Sequence, residues 1–331
     1  MRNEVRKKCE LLAENRQLIN KVSLLENSLS VAIAAASFTE KDKTVDVDNV
    51  KDCLKLLRKK QGMLSELRGH NELVLASKMA LNSNPEGYID NVISVYKRFQ
   101  SGKFFGSYFR ALAAITICDA GKEAEADSII EKTNDILNGM KKSHPFLTSD
   151  EDTCLAVLLA MTEKSTEEIL KELEDSYQYI KKNFAFHENG AYSLSQVLTS
   201  LPGDFEIKGE KALSIFKAFS AAGSKYGKDY TLASLGVLTN IDLNTDELVA
   251  EIIDAADYLK EQKGFGSLSM DKATRLMYGT LIVSSLLSDD STAASASITG
   301  GTIATIITEQ ICMYIVMMSA TSAAITTASS N

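Results

Sequence analysis

Residue types that bind zinc occur at two neighbouring helix starts. Asp152 and Cys154 begin one apolar segment, and His187 precedes the next. Zinc accepts mixed oxygen, sulfur and nitrogen ligands, and zinc-dependent toroidal transferases use a similar Asp-x-Cys and His set. Each residue also has an ordinary structural role, and no second Cys or His pair tightens the spacing. We therefore hold these three as candidates and expect no metal and no cofactor.

Carboxylates suited to glycoside chemistry also lie near helix starts, at Glu151, Asp152, Asp229 and Asp271. Acids at such positions are typical helix caps. The chain has no tryptophan to stack on a sugar ring. It also has no Gly-rich phosphate loop and no G-x-S-x-G motif. We lean against an enzyme.

Arginines give a further candidate site. Beyond Arg110 the sequence contains only Arg275, which begins an apolar helix. Buried guanidinium groups need partners, and Asp271 lies four residues before Arg275. Guanidinium groups left without an acid would bind carboxylate or phosphate in bidentate fashion. The predicted ligand rim consists of Arg68, Asn71, Arg110, Glu151, Asp152, Asp271 and Arg275.

These candidates sit on alternating helices. Apolar, small-residue-rich helices are predicted at 28–38, 72–81, 109–118, 153–161, 191–201, 230–238 and 274–287. Amphipathic, charged helices are predicted between them, where apolar side chains share one face. With 3 prolines in 331 residues, few sites interrupt a helix.

The alternation has a fixed period. An apolar residue, expected to anchor each junction, precedes each apolar helix at intervals of 39 to 41 residues. These positions are Leu24, Leu64, Phe105, Phe146, Phe186, Tyr226 and Phe265. Such spacing is typical of stacked two-helix repeats. We predict an all-α fold of α/α repeats of about 40 residues, forming a toroid or tightly wound superhelix.

The predicted organisation is a leader helix at 1–23 and one seven-unit repeat domain at 24–331. The last unit is atypical, with a Ser/Ala/Gly tract followed by an apolar, Thr-rich segment at 299–327. Glu309 and the lack of flanking cations disfavour a transmembrane span. We expect a capping helix that could also form a homo-oligomer interface.

Composition restricts the compartment and the partners. The net charge of −8 disfavours nucleic acid. The five scattered cysteines are typical of reduced core thiols, and the charged N-terminus lacks a signal peptide's apolar region. We expect a cytoplasmic protein without a membrane partner.

Segments 65–76, 146–161 and 258–277 resemble a bacterial family known as domain-of-unknown-function family 4003, and the similarity spans residues 10–325. The resemblance implies a soluble, helical, cytoplasmic, bacterial protein and supplies no activity. We expect a binding or interaction module for a protein partner. The alternative is an enzyme or small-anion binder that uses a polar funnel at the rim.

Overall fold

The computed structural model describes residues 1–23, 26–287, 303–313 and 315–316, and every regular element in these ranges is helical. The helices are α1 (Asn3–Ile19), α2 (Ser28–Glu40), α3 (Val47–Lys60), α4 (Glu72–Leu81), α5 (Pro85–Gln100), α6 (Tyr108–Asp119), α7 (Ala126–Ser143), α8 (Thr153–Ala160), α9 (Thr166–Ile180), α10 (Glu188–Ser200), α11 (Phe205–Ala221), α12 (Thr245–Lys260) and α13 (Lys272–Leu287). A 3-10 helix, Tyr230–Leu238, lies between α11 and α12. Residues 303–313 form the C-terminal helix.

The helices fall into an inner set, buried on most faces, and an outer set with one buried face. The inner set comprises α2, α4, α6, α8, α10, the 3-10 helix and α13. Each outer helix packs against the inner helix that follows it, as in α1 with α2, α5 with α6 and α12 with α13. Each outer helix therefore packs more extensively against the inner helix that follows it than against the one before it, the reverse of the pairing assumed from sequence.

Neighbouring outer helices also pack in chain order, from α3 through α5, α7, α9 and α11 to α12. The first helix, α1, packs against α2, α12 and α13. Two polar contacts support this arrangement. Tyr258 Oη donates to Glu10 Oε1 at 3.3 Å, and the amino group of Met1 lies 2.6 Å from Asp254. The predicted leader helix is thus packed against both early and late helices of the chain.

Local sequence fixes the outer helix starts. Asp46, Asp204 and Asn244 accept hydrogen bonds from first-turn amides of α3, α11 and α12. Ser165 and Glu168 form a reciprocal capping box at α9. Acids in first turns and lysines or arginines in several last turns also complement the helix dipoles.

One predicted inner helix differs from expectation. Residues 230–238 form a 3-10 helix that approaches α10 closely. A Cβ atom on Gly236 would lie 2.4 Å from Val197 Cγ1, and one on Gly190 would lie 2.3 Å from the Lys228 carbonyl oxygen. The absence of both side chains lets the two backbones meet.

Junction loops connect each outer helix to the next inner helix. Their described residues are 20–23, 26–27, 61–71, 101–107, 144–152, 181–187, 222–229 and 261–271. The prediction that they carry apolar anchors holds for Tyr226 and Phe265, which are buried. It is wrong for Leu64, Phe105, Phe146 and Phe186, which are exposed, while Leu24 lies outside the described residues. Exposed large apolar side chains in these loops are Met63, Leu64, Phe104, Phe105, Phe146, Phe186 and Leu268.

The C-terminal helix lies among the inner helices. Glu309 Oε1 lies 2.7 Å from Lys78 Nζ on α4, and the Tyr278 hydroxyl of α13 lies 3.5 Å from Cys312 Sγ. Gln310 donates to the Glu151 carbonyl oxygen at 3.0 Å, just before α8. The described part of this helix is therefore packed against the rest of the protein. No helix in the described residues is long and apolar enough to span a bilayer. The tract 288–302 and residues 317–331 lie outside the described ranges.

Candidate functional site

A cavity of about 500 Å³ lies where α8, α10 and the inner 3-10 helix begin. The C-terminal helix supplies part of its wall. We call it the rim cavity. Its lining comprises Phe109, Phe146, Leu147, Ser149, Glu151, Asp152, Leu155, Asn189, Gly190, Ser193, Asp229, Tyr230, Ala233, Ile307, Gln310 and Ile311. None of these residues is Lys, Arg or His. The charged groups of the lining are therefore all carboxylates, and they lie among apolar and uncharged polar side chains.

Two adjacent acids of the cavity differ in their hydrogen bonding. Asp152 is buried, accepting hydrogen bonds from the Ser149 amide at 2.8 Å and from Gln196 at 2.8 Å. Glu151 is half-buried. Burial raises the pKa of both carboxyls, and the neighbouring Asp152 charge raises that of Glu151 further. A side-chain hydrogen bond from Ser149 opposes the rise for Glu151. Glu151 is half-buried whereas Asp152 is buried, so Glu151 is the acid that a ligand reaches more easily.

A third acid, Asp229, belongs to a pair at the edge of the cavity. Its Oδ1 lies 2.7 Å from His187 Nδ1, which joins the junction loop before α10 to the loop before the 3-10 helix. Sequence reasoning had placed His187 in the metal set with Asp152 and Cys154. Cys154 is instead fully buried, with its sulfur 3.4 Å from Thr116 Oγ1. The described residues hold no group of three or more His, Cys, Asp or Glu side chains arranged to bind a metal.

The arginines of the predicted rim each have protein partners. Arg68 Nε donates to Glu72 Oε1 at 2.8 Å, and Arg110 Nε donates to Asp150 Oδ1 at 3.1 Å. Arg275 is buried and donates to the carbonyl oxygens of Phe265 and Met270.

The ion pair predicted between Arg275 and Asp271 does not form in the structure. Asp271 Oδ1 accepts from the Thr274 amide at 2.7 Å and so caps α13. Asn71 donates to the carbonyl oxygens of Glu66 and Tyr108, tying two junction loops together. The structure brings Glu151 and Asp152 into one cavity but distributes the other rim residues among loop contacts.

Comparison with known proteins places this sequence in a family. The family model described as "Protein of unknown function (DUF4003)" matches residues 17–316. The chain belongs to this family. It is 25% identical over 241 residues to "Uncharacterized protein YeaA" of Bacillus subtilis (strain 168), covering 70% of each chain. No solved structure matches the chain. The family match includes the described part of the C-terminal helix, which is therefore shared family sequence.

The C-terminal helix of this family member carries a buried ionic cluster that sequence reasoning missed. Lys78 Nζ donates to Asp119 Oδ2 at 2.5 Å and lies 2.7 Å from Glu309 Oε1. Tyr88 Oη donates to Asp119 Oδ1 at 2.6 Å. Burial raises the pKa of Glu309 to about 7; Lys78 opposes this shift and Asp119 reinforces it. The signal in the sequence was Glu309 itself, an acid within an apolar segment.

Proposed function

We propose that this protein is a binding protein whose small-molecule ligand occupies the rim cavity. The observation that carries the proposal is the cavity's combination of volume and lining. A volume of about 500 Å³ falls within the range of ligand sites, and such sites typically pair apolar walls with a few polar groups. The carboxylates of Glu151, Asp152 and Asp229 favour a neutral or cationic ligand with an apolar body.

We further propose that the helices form a closed α/α toroid of seven outer and seven inner helices. The packing of α1 against α12 and α13 supports closure. The C-terminal helix would then fill the middle of the ring, and the ligand would enter at the junction-loop end. The single repeat domain would include α1 as its first outer helix.

The small-anion alternative has less support from the contacts. An anion site would require a guanidinium group without a partner in the protein. Arg68, Arg110 and Arg275 instead each donate hydrogen bonds to a carboxylate or a carbonyl oxygen. An enzyme remains the second candidate, because Glu151 and Asp152 share a cavity and have raised pKa values. Chemical conversion of a bound ligand would support this second candidate.

The test is a thermal-shift and calorimetric screen of arylammonium and alkylammonium compounds against the matching carboxylates. We expect the ammonium compounds to raise the unfolding midpoint. Glu151→Gln should weaken their binding about 10-fold, since it removes one charge-assisted contact. Glu167→Gln, an exposed acid in the first turn of α9, is the matched control. Stabilisation by carboxylates alone, or equal binding by both variants, would contradict the proposal.

A further inference from the structure

The exposed apolar side chains of this protein are concentrated at one end of it. Seven of the nine large apolar side chains that are exposed in the described residues lie in junction loops. Tyr230 directly follows such a loop, and Ile207 lies in the first turn of α11, at the opposite end of an outer helix. Loops on the far side contribute none of the nine. This uneven distribution differs from the scattered single apolar residues of an ordinary protein surface.

Contacts between successive junction loops show that they share one face. Asn71 donates a hydrogen bond to the carbonyl oxygen of Tyr108, the first residue of α6. Arg110, also in the first turn of α6, donates to Asp150 in the next junction loop. His187 and Asp229 join two further loops. The loops before α2 and α13 also meet, where Ser28 Oγ lies 3.5 Å from the Ser269 carbonyl oxygen.

The apolar side chains on this face protrude from several separate loops, two of which carry adjacent pairs, Met63 with Leu64 and Phe104 with Phe105. Phe104, Phe146 and Phe186 retain 99%, 98% and 99% exposure, so almost none of their surface packs against the protein. Phe186 also has a φ of 67°, a left-handed conformation that bulky residues rarely adopt. A protein partner would need a matching pocket for each protruding ring. A lipid bilayer accepts such rings wherever they enter.

The charge of this face is complementary to anionic lipid. Several outer helices end here in lysines or arginines, such as Lys59, Lys97 and Lys142. The loops add exposed lysines, including Lys103 and Lys182. Other last-turn cations pair with acids near the start of the next outer helix, as Lys60 does with Asp90 at 2.6 Å. The positive charge that this face offers therefore comes from lysines that have no acid partner in the described residues.

Three of the loop acids have partners on this face. Glu66 accepts from the Tyr96 hydroxyl at 2.8 Å, Asp150 pairs with Arg110, and Asp229 lies beside His187. The exposed lysines act on an anionic surface within a Debye length of about 8 Å at physiological salt.

We infer that the junction-loop face docks peripherally on an anionic phospholipid bilayer, with the exposed phenylalanines inserted at the headgroup level and the lysines against lipid phosphates. Phenylalanine and leucine side chains are typical of the apolar contacts that peripheral proteins bury at the boundary of headgroups and acyl chains, and each nearby lysine adds attraction to an anionic leaflet. Two modest signals of this kind together give stable association, which neither gives alone. The inference does not depend on the rim cavity holding a ligand.

Vesicle co-sedimentation of the full chain tests the inference. We compare phosphatidylcholine vesicles with vesicles containing phosphatidylcholine and phosphatidylserine at about 7:3, an anionic fraction that produces a negative surface potential. The protein should sediment with the anionic vesicles, and high salt should weaken the association. Sedimentation with neither vesicle, or equally with both, overturns the inference.

Matched variants separate the two contributions. Phe104→Ser with Phe186→Ser should reduce binding about 10-fold or more, because two inserted rings are lost. Ile207→Ser removes an exposed apolar side chain away from the face and should bind like wild type. Lys103→Glu with Lys182→Glu should abolish the preference for anionic vesicles, whereas Lys55→Glu on α3 should not. Unchanged binding by either double variant contradicts the inference.

Size-exclusion chromatography identifies the competing occupant, a second copy of this chain. Wild type that elutes as a dimer, with the double phenylalanine variant as a monomer, would assign the apolar face to a subunit interface and overturn bilayer docking. Circular dichroism of each variant should match wild type, since the substituted side chains are exposed.

Discussion

Lys78 Nζ lies 2.7 Å from Glu309 Oε1 and 2.5 Å from Asp119 Oδ2, so one buried cation serves two carboxylates from α6 and the C-terminal helix. Buried charges are stable only when they are paired. Here the second acid, Glu309, belongs to the C-terminal helix, which follows α13 in the chain. The C-terminal helix is thus fastened to α4 by an ionic contact as well as by its apolar side chains.

The pH dependence of stability should report Glu309. Burial raises its pKa to about 7, so between the unfolded value of 4.5 and about 7 the folded protein holds a proton that the unfolded chain releases. Stability from this group is present at low pH and is lost as pH rises through that window.

We compare wild type with Glu309→Gln, which resembles the protonated form, by urea unfolding at about pH 5 and about pH 8. The free energy of unfolding of wild type should fall relative to the variant by ~1–3 kcal/mol across the window. A difference that stays constant with pH contradicts the prediction.

Removing the shared cation should be costly. Lys78→Met leaves the buried Glu309 carboxyl and the half-buried Asp119 without their common partner. We expect a loss of about 3–5 kcal/mol in the free energy of unfolding, the usual effect of breaking a buried ion pair. Lys55→Met removes a lysine that pairs with Asp52 on the exposed face of α3, and we expect no measurable change. Similar losses in the two variants would show that burial of Lys78 has no special role.

Thiol reactivity should separate release of the C-terminal helix from global unfolding. Burial raises the pKa of Cys9, Cys154 and Cys312 to about 12 and that of Cys53 to about 11. Because the thiolate is the reactive form, native protein should resist maleimide at neutral pH. In Lys78→Met, Cys312 should become reactive before Cys9, as measured by peptide mass spectrometry after a short pulse. Equal labelling of both would mean that the helix does not detach separately.

The sequence was sufficient for the helices, because periodicity and capping are local properties. Predicted and observed bounds agree at α4, and α8 differs by one residue at its end. The orientation of junction-loop residues was not predictable, since a single apolar residue between helices can point inward like Phe265 or outward like Phe186. Spacing alone does not distinguish these cases.

The same limitation applies to the site. Glu151 and Asp152 were identified because acids at helix starts are recognisable in sequence. Their neighbour Gln310 was not, because it reaches the cavity on the C-terminal helix, whose position depends on long-range packing. The 230–238 segment is likewise predicted to be an α-helix. In the structure it is a 3-10 helix that packs closely against α10, where Gly190 and Gly236 leave room for it.

Arg275 provides the last prediction, because its partners are carbonyl oxygens rather than an acid. Its buried guanidinium donates to Phe265 at 3.2 Å and to Met270, both in the junction loop before α13. Arg275→Met should leave these acceptors unpaired and lower the free energy of unfolding by about 1–3 kcal/mol. Arg98→Met, which removes a largely exposed pair with Asp127, is the matched control and should change stability little. Thermal melts with and without citrate or phosphate complete the test. We expect no anion dependence in wild type or variant, because the guanidinium is engaged within the loop. An anion-induced rise in the wild-type midpoint that disappears in Arg275→Met would show instead that this arginine belongs to an anion site.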